Sequence, residues 1–266
     1  MAKVYLDPGH GGSDPGAVKY VTERDVNLVM AIACRDVLEA NGVTVKMSRT
    51  TNGAKPTINT MAKEANNWGA DLVVSIHNNA GGGDGFEIFH SINGGKGKTL
   101  AANIEAEVKN IGQNSRGLKT KKNDAGNDYY GMIRLTNAPA VICEGVFVDN
   151  ATDVKIADTT AEQKAFGVAY AKGILKTLGI TPKAENSASS SKGNNASASN
   201  AGYRVKVKVG ALNIRSGPGT NYKVLGVIRD KGTYTIVETK GKWGLLLEGP
   251  KKGSSWIHLD HTKKKD

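Results

Sequence analysis

One stretch of this chain cannot fold by itself, and it decides how the rest can. AENSASSSKGNNASASNAG, ending at Gly202, carries no apolar side chain larger than alanine. Such a segment cannot bury enough surface to offset its chain entropy and reads as a flexible linker. The expected organisation of the 266 residues is a first domain over 1–182, a linker over 183–202 and a second domain over 203–266. Charge divides at the same place. Residues 1–182 hold 20 basic and 19 acidic side chains, whereas 203–266 hold 14 basic against 5 acidic, which accounts for nearly all of the net +11. No apolar run is long enough to span a bilayer, so no membrane insertion is expected. MAKVYLDPGH enters a strand and its turn at once, without a charged, apolar and small-residue leader. The expectation is synthesis in the cytoplasm, with action elsewhere only after release. Cys34 and Cys143 both fall in apolar segments, as buried thiols do.

The first domain alternates strand and helix patterns. KVYLD is a strand ending in Pro8 and a glycine turn. Val26, Val29, Met30, Ala33, Val37 and Leu38 recur at helical spacing, with Thr22 and Asp25 fitting a capping box and Glu23 in the first turn. VTVKMSR is a second strand, 56–68 a helix, 71–77 a strand, 86–90 a strand, 99–111 a helix, 140–143 an apolar strand and 161–178 an amphipathic helix. This order predicts an α/β fold: a mixed or mostly parallel sheet with helices on both faces. Functional groups of such sheets collect at the carboxyl ends of the strands, where the pattern places His10, His77 and Glu144.

Four side chains in these settings can carry chemistry: His10 in LDPGHGG, Glu23 in TERDVNL, His77 in LVVSIHNNA and Glu144 in PAVICEGVF. Two imidazoles and a carboxylate form a facial set for Zn2+ with one position open, and a further glutamate can manage the proton of an attacking water. Blander readings stand beside this one. His10 could cap a glycine turn, and Glu23 could be a helix-start carboxylate stabilised by the dipole. Glu144 is harder to dismiss, because a charge at the end of a buried strand is expensive unless paired or functional. LDPGHGG lacks the lysine–serine pair and the dinucleotide spacing of phosphate-binding turns. Cys143 alternates with Glu144 along its strand and faces away from it, which argues against a thiol nucleophile working with His77. His90, His258 and His261 read as surface residues.

LDPGHGGSDPGA, ERDVNL, the Ala65–Asn66 pair of KEANNWGADLVVSIHNNA and PAVICEGVFVDN occur here in one order and spacing over roughly residues 3–179. In these the chain resembles the zinc-dependent N-acetylmuramoyl-L-alanine amidases of bacterial and phage cell-wall lysis. The resemblance implies His10, Glu23 and His77 as zinc ligands and Glu144 as the catalytic carboxylate. The substrate would be peptidoglycan, cut between N-acetylmuramic acid and L-alanine, and the resemblance implies a phage endolysin acting on the wall after release. One departure is Met61, four residues before the Ala65–Asn66 pair, where such amidases usually carry arginine; packing or substrate contacts are expected to change there rather than the metal. A zinc carboxypeptidase on wall peptides and a non-catalytic peptidoglycan-binding protein are the alternatives.

The second domain reads as a small all-β barrel, its short alternating runs separated by SGPGT, RDKG and TKGKW turns. ALNIRSGPGTNYKVLG with Trp243 and Trp256 resembles a bacterial SH3-like domain, which implies a cell-wall polymer or peptide as the partner of residues 203–266. LLLEGPKKGSSW lengthens the usual approach to the last strand. The positive charge suits an anionic bacterial surface. No recognition helix or RNA-binding aromatic signature accompanies the lysines, so nucleic acid is not expected.

Overall fold

The computed structural model describes residues 1–182, 203–220, 222–247 and 255–265. The expected linker, 183–202, and residues 248–254 of the LLLEGPKKGSSW insertion lie outside the described residues. The chain divides into two compact units, Met1–Ser190 and Ser191–Asp266. Among the described residues no helix is long and apolar enough to cross a membrane.

The first unit is built on β1 (Lys3–Pro8), β2 (Thr44–Met47), β3 (Leu72–Asn79), β4 (Phe86–His90), β5 (Ser115–Lys119) and β6 (Ala140–Phe147), with helices α1 (Glu23–Ala40), α2 (Ile58–Trp68), α3 (Gly95–Asn110), α4 (Gly131–Arg134) and α5 (Thr160–Thr177). Its six strands run in the order β2-β1-β3-β6-β4-β5. The first four are mutually parallel, β4 runs antiparallel to β6, and β5 is parallel to β4. The sheet is therefore mixed, with helices on both faces.

Strand alternation sorts the side chains. Val4, Leu6, Val74, Ile76, Val141 and Cys143 join α1, α3 and α5 in the larger core. Tyr5, Val73, Ala140 and Ile142 point the other way, against Met61 and Ala65 of α2 and Met132 and Ile133 of α4. These two short helices cover only part of their face. Further along the same strands the alternation brings up Asp7, Ser75, His77 and Glu144, which border a cavity in place of a helix. The apolar half of this face holds the fold and the polar half forms the site.

Three expectations need correction. Thr22 is the N-cap of α1 but makes no side-chain capping bond, so the capping box with Asp25 does not form; Asp25 instead accepts from Asn52 and Arg24. His90 is 6% exposed rather than a surface residue, its Nδ1 2.8 Å from the Ser91 carbonyl. Glu144 does not end its strand: β6 continues through Gly145 to Phe147. The strand continues because Asn78 of β3 takes the Val146 N–H at 3.0 Å. The capping box that does form belongs to α5, between Thr159 and Glu162.

The second unit comprises β7 (Tyr203–Val207), β8 (Leu212–Arg215), β9 (Val224–Ile228), β10 (Thr233–Lys240), β11 (Trp243–Leu246), β12 (Trp256–His258) and β13 (Thr262–Lys265). They form one antiparallel sheet in the order β13-β7-β10-β11-β12-β8-β9. Val205, Val207, Leu212, Ile214, Ile228, Ile236, Leu246 and Ile257 make its core.

α5 lies against both α1 and α3 through glycines. A Cβ on Gly167 would sit 2.2 Å from the Met30 carbonyl oxygen, and one on Gly173 2.5 Å from Ile104 Cα. In an open helix Gly→Ala gains roughly 1 kcal/mol. Here backbone would have to move, and overpacking of this kind costs about 1–3 kcal/mol or more. Gly167→Ala is therefore expected to destabilise the first unit in urea unfolding followed by helical circular dichroism; a stabilised variant would show that α1 and α5 do not pack this closely.

Candidate metal and catalytic centre

The polar half of the face opens into a cavity of about 560 Å³. His10 reaches it from the turn after β1, with a left-handed φ of 61°. Reciprocal 3.0 Å backbone bonds between Gly11 and Asp14 close that turn. They bring the Asp14 carboxylate to 2.8 Å from His10 Nδ1. This partner fixes the ring and directs Nε2 inward, the role outer carboxylates play behind metal-binding histidines.

Nε2 stands 3.1 Å from Glu23 Oε2. Glu23 opens α1 and is only 4% exposed. Its carboxylate accepts from the backbone N–H groups of Ala17 at 2.9 Å and Asn78 at 3.1 Å. Its other oxygen lies 3.0 Å from His77 Nδ1. Burial works to raise the Glu23 pKa, but the hydrogen bonds with His10 and His77 outweigh it and hold the group far below the usual carboxylate range. Glycines let these groups converge: a Cβ on Gly9 would fall 2.2 Å from the His77 ring, and one on Gly16 2.4 Å from Glu23 Oε2.

One donor atom from each of His10, Glu23 and His77 lies within 4.8 Å of the others, and among the described residues no other group of three metal-capable side chains does so. Donors around a four-coordinate zinc stand roughly 3.4 Å apart. Two imidazoles, a buried carboxylate and an Asp14 behind one ring therefore fit a divalent ion of that type, and the three residues singled out in the sequence are brought together.

Glu144 lines the same cavity. In register it lies beside His77 of β3 on one side and Glu87 of β4 on the other. Burial pushes its carboxyl pKa up to about 7; His77 pulls the other way, and the charges of Glu23 and Glu87 add to the rise. Glu87, which sequence reasoning passed over, is itself buried and paired with Arg116 and Lys119. An acid inside the apolar run GFEIF carries the same signal that drew attention to Glu144. Asp14 and Tyr130 were also missed. Tyr130 lines the cavity and packs on Phe89 at 4.8 Å between ring centres.

Cys143 points into the opposite core, and burial drives its thiol pKa well above the ordinary value. It cannot act with His77. Met61 is fully buried against Tyr5 and Val73 and also borders the cavity. His258 meets Trp243 edge-on at 5.0 Å in the second unit, and His261 is exposed. Neither belongs to this site.

Fold and site together define a class: α/β proteins of mixed sheet with a His–Glu–His cluster able to hold a divalent ion, beside a carboxyl whose pKa burial raises. Comparison with known proteins narrows it. Residues 4–176 match the family model described as N-acetylmuramoyl-L-alanine amidase, and residues 210–263 match the bacterial SH3 domain. The sporulation-specific N-acetylmuramoyl-L-alanine amidase of Bacillus subtilis (strain 168) is 34% identical over 186 residues, covering 68% of this chain and 69% of that protein. The endolysin of Bacillus phage SPP1 is 32% identical over 195 residues, covering 70% and 69%. The solved catalytic domain of the amidase CwlV from Bacillus (Paenibacillus) polymyxa superposes with a TM-score of 0.61 at 26% identity, covering 68% of this chain and all of that one. The chain belongs to the N-acetylmuramoyl-L-alanine amidase family, and its second unit is a bacterial SH3 domain.

The Glu144 environment has a thermodynamic consequence. A carboxyl whose folded pKa lies above its unfolded value costs stability once pH passes the unfolded value of 4.5, and the cost is complete above about 7. In metal-free protein, Glu144→Gln should therefore gain stability over wild type between about pH 5 and about pH 8, by on the order of 2 kcal/mol. Urea unfolding at the two pH values measures it; an equal difference at both would mean that Glu144 titrates as an ordinary carboxyl.

Proposed function

We propose that the first unit is a zinc amidase that hydrolyses the bond between the lactyl group of N-acetylmuramic acid and L-alanine in peptidoglycan. His10, Glu23 and His77 would hold the metal, and Glu144 would move the proton. The observation that carries this reading is the placement of Glu144, partly desolvated and near neutrality in its proton affinity, in the cavity that His10 and His77 of the His–Glu–His set also line.

Zinc, when bound, supplies a Lewis acid for the scissile carbonyl and brings the pKa of an attacking water towards about 7. The remaining work falls to the chain. Glu144 accepts a proton as the water oxygen bonds to the lactyl carbonyl carbon, then delivers it to the alanine nitrogen as the C–N bond breaks. The products are a lactyl carboxylate on the glycan and a peptide with a free L-alanine amino group. Asp14 keeps the His10 ring in one orientation through this cycle. Ile58, Met61 and Met132 give the cavity an apolar side, and Tyr130 a flat one, which suit a sugar and a lactyl group better than bulk water.

Digestion of purified peptidoglycan, with mass spectrometry of the products, tests the reaction. Intact glycan and peptides beginning with L-alanine are expected, abolished by a chelator and restored by zinc. Shortened peptides still attached to glycan would replace the amidase by a carboxypeptidase. Glu144→Gln should lower kcat by about 10²–10⁴-fold while zinc content stays at the wild-type level. Wild-type turnover in that variant would remove Glu144 from proton transfer.

The second unit we read as the part that holds the enzyme on the wall. Lys263 of β13 lies directly opposite Lys206 of β7, and Lys265 opposite Arg204. All four side chains are exposed, and like charges in opposed positions weaken a strand pair. A face kept in this form suits an anionic wall polymer. Release onto the wall as a phage endolysin is the biological role this proposal favours, in keeping with the likeness to the phage SPP1 protein. Reversing Lys206 and Lys263 to glutamate should weaken sedimentation with purified walls by roughly tenfold at low salt and flatten its salt dependence. Unchanged sedimentation would detach wall binding from this face.

A further inference from the structure

The cavity wall carries a charge for which the proton-transfer chemistry has no use. Asp7, at the end of β1, is 1% exposed. Its carboxylate accepts from Ser48 Oγ and Ser75 Oγ, both at 2.8 Å. Lys55, from the segment between β2 and α2, places its Nζ 3.1 Å from one oxygen and 3.4 Å from the other. The Arg49 guanidinium, also buried, donates to the carbonyls of Pro8, Gly9, Arg24 and Thr51 and to the side-chain oxygen of Asn52, and among the described residues it pairs with no carboxylate. Lys55 is thus the cation that pairs with Asp7.

Lys55 is the cation with access to the cavity. Its side chain is 17% exposed and, apart from the histidines, it is the basic residue among those lining the space. An ammonium group has three donors. Asp7 engages at most two, so at least one N–H is left without an acceptor among the described residues.

Position gives this donor a target. Asp7 is bonded by Ser75, which shares the cavity face of β3 with His77, two residues on. That separation along a strand is about 7 Å. In the substrate, the lactyl carbonyl and the α-carboxyl of the second stem residue are likewise two residues apart, again about 7 Å when extended. This second residue is a glutamate joined onward through its γ-carboxyl, so its α-carboxyl hangs free as an acid or is masked as an amide.

We propose that Lys55, anchored by Asp7, is a specificity-determining residue that binds the free α-carboxylate of the second stem-peptide residue and so favours the acid over the amide. The proposal rests on the muramoyl-alanine reading above and adds to it the peptide chemistry read by the pocket. A charge-assisted hydrogen bond would be available to the carboxylate and lost to the carboxamide.

The test uses the zinc-loaded full chain and two soluble substrates, N-acetylmuramoyl-L-alanyl-D-isoglutamate and its isoglutamine counterpart. Wild type is expected to favour the acid by roughly tenfold in kcat/KM, mainly through KM. Lys55→Gln should bring the two substrates to parity by losing the acid's advantage, and Lys55→Arg should restore the preference. The wild-type ratio needs no variant, so a misfolded Lys55→Gln protein would leave the inference testable. Equal cleavage of both substrates by wild type, or a preference that survives Lys55→Gln, would overturn the role of Lys55 while leaving the amidase reading intact. Cleavage of neither substrate at the alanine amide would overturn the amidase reading and this inference with it.

Discussion

The buried carboxylate of Glu23 is the interaction on which the first unit's site depends. It joins three pieces of chain that are far apart in sequence: the turn after β1 through His10 and the Ala17 N–H, the start of α1, and the end of β3 through His77 and the Asn78 N–H. A carboxylate at this depth is costly unless every lone pair is engaged. The backbone donors and the imidazoles between them engage both of its oxygens. The same contacts hold the helix, the turn and the strand in place, so the fold of this corner and the His–Glu–His cluster are one arrangement.

A second constraint is the incomplete cover of one sheet face. α2 and α4 bury Tyr5, Val73, Ala140 and Ile142, then stop, while the strands beneath continue. Pleating guarantees that every second residue beyond that edge points into the cavity, and in this chain those residues are Asp7, Ser75, His77 and Glu144. The opposite face, fully covered by α1, α3 and α5, takes the alternate residues, Cys143 among them. One strand can in this way place a thiol in a dry core and a titrating carboxyl in a reactive cavity at adjacent positions. Their proton affinities are both raised by burial, yet only the carboxyl faces the cavity.

Much of this was legible in the chain itself. The helical and strand periods located nearly every element of the first unit, because each buries a face of one period. β5 was missed: SRGLK has no alternation, and Gly117 turns with φ 90° in its middle. The four chemical side chains were legible as polar groups in apolar or glycine-rich settings, an anomaly that burial cost makes meaningful. What local pattern could not supply was partnership across distance. Thr22 and Asp25 have the right spacing for a capping box, but tertiary bonds to Asn52 and Arg24 claim Asp25. Glu144 looked like a strand terminus because glycine follows it, whereas Asn78 from the neighbouring strand keeps the ladder going. Lys55 and Asp7 are 48 residues apart, and nothing in the sequence near either announces the other.

The two units divide electrostatic labour. The catalytic unit is close to neutral over residues 1–182, and its charges are consumed locally, in Glu23 with two histidines, Asp7 with Lys55 and Glu87 with Arg116 and Lys119. These partly buried groups are shielded little by salt. The second unit leaves its charge at the surface, with cations opposed across β7 and β13, where salt screens them effectively. On the proposed roles, affinity for an anionic wall varies with ionic strength while the proton affinity of Glu144 does not. An enzyme that must cut an insoluble polymer repeatedly benefits from that separation, since the hold on the surface can be weakened without disturbing the cavity that Glu144 lines.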